Sequence, residues 1–297
     1  MENRQKNWHD KYYKLALLIP IAIVLFSIFY MVQFYSKNND FIYKDISLTG
    51  GTSVTIYEKI DPSLMENYLS EKLENVEIRE VYDVITSEQK AVVIGTISSG
   101  DYTKAILEEY LGHDLIDGDN SSFEFTGSVL SESFYKQLLV AISVAFFLMA
   151  IVVFIIFRTI APSAAVIFSA FADILMTLAT VNIIGFKISS AGIVAFLMLI
   201  GYSVDTDILL TSRVLKRSEG TLNERIYSAF KTGMTMTLTA VFSILAALLV
   251  VKSFSPVLTQ IFTILLIGLC FDILNTWVTN VSLLKWHVER KNIGGEK

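Results

Sequence analysis

A chain of 297 residues that is 53% hydrophobic, with a mean hydropathy of +0.53, is too apolar for an ordinary soluble domain and must place much of its length in a membrane. The lone cysteine, Cys270, lies in an apolar run, which excludes an intrachain disulfide framework and a cysteine-based zinc site. The net charge of −5 conceals a basic and an acidic side that only a topology separates.

Residues 1–36 read as an N-terminal segment and a first span, Leu15–Tyr35, long enough to cross a hydrocarbon core of ~30 Å. Its apolar run exceeds the usual signal-peptide core and no A-x-A-like site follows, so an uncleaved signal anchor is expected.

Residues 37–136 are polar and charged and switch between period two and helical periodicity. Thr52–Tyr57 alternates around β-branched residues, and Asp61-Pro62 opens a helix through Leu73, with the proline in its first turn. Val76–Ile85 and Ala91–Ile97 read as strands around a polar turn at Thr86–Lys90. Ser99 to Tyr110 reads as a second helix and Phe123–Thr126 as a closing strand. This order, βαββαβ, predicts an α+β ferredoxin-like external domain, a fold that names no function by itself. Asp117-Gly118-Asp119-Asn120 resembles the start of a calcium loop, but the twelfth position is Ser128, where a bidentate glutamate is needed. Gly50-Gly51 lacks a following P-loop lysine and reads as a chain reversal ahead of the first strand.

Residues 137–285 hold five further apolar runs, Leu138–Phe157, Pro162–Ile184, Ala191–Leu210, Met234–Val251 and Val257–Leu284, and residues 286–297 form a polar tail. The expectation is an α-helical polytopic membrane protein of six transmembrane helices. With both termini cytoplasmic and 37–136 external, the cytoplasmic segments carry fourteen bases against six acids and the external ones ten against nineteen, as basic loops staying inside requires. Trp8, Tyr12, Tyr13 and Trp286 then lie near the inner interface, Tyr30 and Tyr35 near the outer one. The segment Arg213–Lys231, with Leu215, Leu222, Ile226 and Phe230 at roughly helical spacing, reads as a basic loop on the inner interface, touching anionic lipid or docking a cytosolic partner.

Four carboxylates stand inside these spans: Asp173, Asp205, Asp207 and Asp272. Charge at mid-bilayer is costly, at least ~2.5 kcal/mol, and such residues mark ion or proton pathways, with Asp205 the first candidate for coupling and Asp173 or Asp207 assisting it. Asp205 and Asp207, two residues apart, lie about 200° apart on a helix and cannot share one partner. Gly201 shares a face with Asp205, and Ser203 and Thr211 share one with Asp207. Ser169, Asp173, Thr177 and Thr180 form a third face, and Gly268, Asp272, Asn275, Thr276 and Thr279 a fourth. These stripes also suit plain helix packing, with the aspartates tying helices together. Asp-x-Asp as a metal–nucleotide site needs a polar loop, which Ile200–Leu210 is not. His9, His113 and His287 fall in three separate segments with no nucleophile constellation, so no enzymatic activity, metal or organic cofactor is expected.

The residues Leu48-Thr49-Gly50-Gly51-Thr52, the layout of one span, an external domain and five spans, and Gly201-Tyr202-Ser203-Val204-Asp205-Thr206-Asp207-Ile208 followed by Arg213 together resemble the SecF branch of the SecD/SecF family. These membrane subunits accompany the Sec translocase and belong to the resistance-nodulation-division superfamily. The resemblance implies a cell-membrane subunit of protein export that pairs with SecD, acts beside the Sec channel on unfolded secretory chains, contacts lipid, and draws on a proton or sodium gradient. No nucleic-acid partner is implied. Carried over by position, Thr206 occupies the family's acidic position and Asp205 matches the aspartate of the related SecD motif. The family's base early in span five has only Lys231 nearby, differences that resemble the archaeal branch. A non-energised scaffold or holdase, and a small-molecule or lipid exporter of the same superfamily, stand as alternatives.

Overall fold

The computed structural model describes residues 13–83, 86, 88–216, 219–253 and 255–294. Trp8, Tyr12, His9, the bases Arg4, Lys6, Lys11, Arg217 and Lys297, and the strand end at Val84 and Ile85 lie outside these residues. Among the described residues, six helices are long and apolar enough to cross a membrane.

The first, α1 (Leu18–Asn38), ends where Asn39 enters the left-handed region at φ 53° and donates its N–H to the Tyr35 carbonyl. A short helix with no counterpart in the expected elements, α2 (Ile46–Thr49), is capped by the Asp45 carboxylate on the Ile46 N–H. Then follow β1 (Gly51–Ile56), α3 (Pro62–Ser70), β2 (Glu77–Tyr82), β3 (Gln89–Thr96), α4 (Gly100–Leu111) and β4 (Ser121–Thr126), with ends shifted by a few residues from the sequence pattern. The strands form one antiparallel sheet of order β2-β3-β1-β4. Because side chains alternate along a strand, Val54, Ile56, Val92 and Ile94 share one face. There they meet Met65 and Leu69 of α3 and Leu107 of α4 in a core sealed from solvent.

β4 leads directly into α5 (Ser128–Phe157), which begins well before Leu138 and so carries the small domain's chain into the second span without a linker. The remaining spans are α6 (Ile160–Ile183), α7 (Ser190–Lys216), α8 (Leu222–Val251) and α9 (Pro256–Leu274), which runs through a π-helical turn (Asn275–Asn280) into α10 (Val281–Gly294). α6, α7 and α9 pack at the centre around Phe196, Leu199, Ile264, Leu265 and Leu269, while α5 and α8 expose most of their length.

The segment Arg213–Lys231 is mostly helix rather than loop. α7 extends to Lys216, and a capping box starts α8, the Thr221 hydroxyl accepting the Glu224 N–H and the Glu224 carboxylate accepting the Thr221 N–H. Two of its bases fold back on the protein. Arg213 donates to the Ser228 carbonyl and hydroxyl, and Arg225 donates to the Val214 carbonyl at 2.9 Å, tying α7 to α8.

Candidate functional site

The 3.6-residue period turns Ser203, Asp207 and Thr211 of α7 into the bundle, and all three are buried. Asp173 and Ser169 face them from α6, and Asp272, Asn275, Thr276 and Asn280 from α9 and the π-turn. Each is at most 1% exposed. Three of the four intramembrane carboxylates therefore converge on one polar centre.

Asp173 Oδ2 accepts the Ser203 hydroxyl at 2.6 Å and its Oδ1 accepts the Asn275 amide at 2.7 Å. Asp207 Oδ1 accepts the Thr276 hydroxyl at 2.9 Å and the Asn280 amide at 2.7 Å. Asp272 lies within hydrogen-bond reach of the Thr206 hydroxyl, at 3.2 Å, and of the Thr276 hydroxyl, at 3.1 Å. A hydroxyl carries a single proton, so Thr276 serves Asp207 or Asp272 but not both. Thr206 is likewise divided between Asp272 and the Ser203 carbonyl, which lies 2.9 Å away. The three carboxylates are close enough for their charges to interact. Among the described residues the ion pairs lie elsewhere, as with Lys72–Glu109 and Arg79–Asp45, and none joins a base to this cluster. A group of acids without a fixed counter-charge, held by too few donors, has the chemistry to accept a positive charge.

Asp205, the first coupling candidate by sequence, is apart from this centre, because its face of α7 points out of the bundle. It lies on the one open stripe of α7, with Val194, Met198, Gly201 and Tyr202. A methyl group at Gly201 would meet nothing within 4 Å, so this face lies open for an approaching surface. Val204 packs inward between α7 and α5. Thr206, at the position where the resemblance places an acid, instead has the Asp272 carboxyl group of α9 against its hydroxyl, so the acid arrives from another span.

Gly50, Gly51 and Thr52 are remote from the carboxylates and serve the backbone. Gly50 has φ +80°, and a Cβ there would lie 2.5 Å from the Ser128 Cα. At Gly51, with φ +147°, it would run into the Thr96 carbonyl. The Thr52 hydroxyl donates to the Ser98 carbonyl at 2.8 Å. Sequence reasoning left out Asn280 and the π-turn, although the polar density of Asn275-Thr276-Trp277-Val278-Thr279-Asn280 inside an apolar run was the available signal.

Residues 106–290 match the family model described as protein export membrane protein SecD/SecF, C-terminal. The chain is 40% identical to the protein-export membrane protein SecF of Methanocaldococcus jannaschii over 282 residues, which covers 94% of this chain and 96% of the relative. It is 39% identical to SecF of Methanothermobacter thermautotrophicus, covering 94% of each. Among solved structures it superposes on SecDF of Thermus thermophilus, a translocon-associated membrane protein, with a TM-score of 0.70 at 18% identity, a likeness of fold. It covers 38% of that longer chain. With six apolar helices and relatives this similar over almost the whole length, the chain belongs to the SecD/SecF family of multi-pass protein-export membrane proteins.

Proposed function

We propose that the protein pairs with a SecD subunit and couples uptake of a proton or sodium ion at Asp173, Asp207 and Asp272 to translocation of unfolded secretory chains beside the Sec channel. The observation that carries this reading is the cluster of three buried carboxylates with no base among the described residues to neutralise it. Its role is non-enzymatic. Both termini are cytoplasmic, following the excess of bases on that side, and the small domain is external and of the ferredoxin-like type, in keeping with its strand order. Pairing is supported by the open stripe of α7, because a carboxylate at Asp205 facing lipid is costly and a neighbouring helix removes that cost. Five spans after the small domain are few for a two-halved transporter, and a related subunit supplies the other half.

A scaffold role is the second reading, favoured by the way each buried carboxylate bridges two helices through Ser203, Asn275, Thr206 and Thr276. One experiment separates the two. In a strain whose secretion depends on the gene, Asp207→Asn and Asp272→Asn are introduced and secretion is followed by pulse-chase. Tagged protein is purified in mild detergent to measure how much SecD-like subunit accompanies it. Export slowed several-fold with undiminished complex is expected. Loss of complex in proportion to loss of export would replace coupling by scaffolding, and unchanged export would remove both roles from these residues.

A further inference from the structure

We propose that Asn120 is a site of N-linked glycosylation, taking a sugar chain from a lipid-phosphate carrier on the external side of the membrane. This rests on the external placement of the small domain and is independent of ion coupling.

The sequence sets an asparagine two residues before a serine or threonine, with no proline between, at Asn120-Ser121-Ser122 and Asn280-Val281-Ser282 and nowhere else. The fold separates the two. Asn280 is fully buried among the spans with its amide engaged by Asp207, so no transferase reaches it. Asn120 closes the connection between α4 and β4, in which Asp114, Ile116, Asp117, Gly118 and Asp119 are all exposed. Gly118, at φ +83°, turns the chain there.

The connection also stands clear of the bundle. The sheet is tied down along β2, where the Tyr82 N–H reaches the Ser253 carbonyl and Lys187 lies against Asn75. β4 is the opposite edge of the order β2-β3-β1-β4. Three strand spacings of ~4.8 Å put it about 14 Å across the sheet from that attachment.

The acceptor nitrogen can react without loss of the bonds that shape the connection. Asn120 Oδ1 accepts the Ile116 N–H at 2.8 Å, and Nδ2 donates to the Asp114 carbonyl at 3.0 Å. A side-chain amide carries two N–H donors, and this connection uses one of them. Glycosylation replaces a single hydrogen. A bond forms from Nδ2 to the anomeric carbon of the sugar as the bond from that carbon to the carrier's phosphate oxygen breaks. The Nδ2 proton passes to a base of the membrane transferase, and the lipid phosphate departs. The N–H that stays and Oδ1 still serve Asp114 and Ile116.

The serine that completes the pattern is placed for the same encounter. Ser122 pairs with Thr55 of β1, and its hydroxyl carries none of the hydrogen bonds of the connection. Its neighbours Ser121 and Phe123 take the core side of the strand, so Ser122 faces away from α3 and α4.

The test uses the full-length protein, tagged and purified in mild detergent from membranes of the cells that carry the gene. After trypsin digestion, peptide 105–136, in which Asn120 is the only asparagine, is weighed by mass spectrometry. The expected result is a mass excess equal to a chain of sugars, located on Asn120 by fragmentation and lost in both Asn120→Gln and Ser122→Ala. Ser122→Thr, which keeps a hydroxyl, should retain it. Because Asn120→Gln also disturbs the bonds to Ile116 and Asp114, the decisive variant is Ser122→Ala, which removes a hydroxyl that holds nothing in the connection. A peptide of unmodified mass, or an excess that survives Ser122→Ala, would overturn the site. Asp119→Cys in a Cys270→Ala background, treated in intact cells with a membrane-impermeant maleimide, separates the two ways of failing. Labelling without a sugar chain removes the site and leaves the external placement standing, and labelling that appears only after the cells are broken removes both.

Discussion

A methyl group at Gly50 would lie 2.5 Å from the Ser128 Cα and 2.6 Å from its nitrogen, and the backbone there is left-handed as well. Gly50→Ala therefore meets strain and collision together, with a loss of about 1–3 kcal/mol from the strained backbone alone. The check is the thermal midpoint of the purified protein, which should fall while Gly127→Ala, with nothing within 4 Å of its added carbon, stays near the parent. A second residue sets a pH response. The Asp114 carbonyl and the Glu58 carboxylate, the latter 3.0 Å from Nε2, hold His113 above its ordinary 6.5. A raised histidine stabilises the fold fully below 6.5, and that contribution fades as pH climbs through the folded-state value. A small loss of stability above pH 6.5, removed by His113→Gln and seen by hydrogen exchange at Leu115 and Phe123, is expected. At this scale much of the centre was legible. The 200° between Asp205 and Asp207 already kept the two from sharing one partner, and the faces of Ser169, Asp173, Thr177 and of Asp272, Asn275, Thr276 were readable from period alone. Which of the two α7 acids joins the others depends on where α6 and α9 sit, and no local pattern carries that.

The elements differ from the sequence pattern where apolarity and helicity part company. The run that begins at Leu138 marks where the chain becomes lipid-compatible, while the helix begins at Ser128 because Ser131, Tyr135 and their neighbours continue the turn above it. The basic stretch after Arg213 looked like a loop because it is charged, although the capping box Thr221-Leu222-Asn223-Glu224 was present to announce a helix. The π-turn was the least legible element, since the polar residues of Asn275–Asn280 mark the place but not the widening of the turn. Asn280, the last residue of this widened turn, donates to Asp207 at 2.7 Å. Asn280→Ala should remove the amide that this turn sets against Asp207 Oδ1. The lost charge-assisted bond amounts to about 1.5–3 kcal/mol. A lowered unfolding midpoint at unchanged helicity by circular dichroism would bear this out, and a midpoint equal to the parent's would show that the Asn280 bond to Asp207 adds nothing to stability.

At the scale of the whole molecule, the small domain and the bundle are joined by backbone as well as by chain connection. The connection between α6 and α7 presents the Ile188 carbonyl to the Asp45 N–H at 3.0 Å and its own N–H to the Tyr43 carbonyl at 2.6 Å, a parallel bridge between linker and helical hairpin. Lys187 reaches Asn75 at 3.0 Å and lies 3.8 Å from Glu77, and the Ser47 hydroxyl accepts the Ser190 N–H at 3.1 Å. On the other flank the Tyr82 N–H at the end of β2 donates to the Ser253 carbonyl, between α8 and α9, at 2.7 Å. These attachments grip the tip of the hairpin whose two arms carry Asp173 and Asp207. A shift of α6 against α7 on ion uptake would therefore reach the small domain as a tilt of its base, and the domain would move with the hairpin tip rather than swing on its linker. Lys44 and Ile188 are bridge partners, and paired strands hold their Cα atoms about 5 Å apart, within the range a disulfide spans. Lys44→Cys with Ile188→Cys should therefore cross-link under mild oxidation in membranes, and secretion measured by pulse-chase should persist, because a domain that rides on the tip loses no motion when fastened to it. Secretion that stops on oxidation and returns on reduction would show instead that linker and hairpin separate during the working cycle, and that the bridge is a latch that must open.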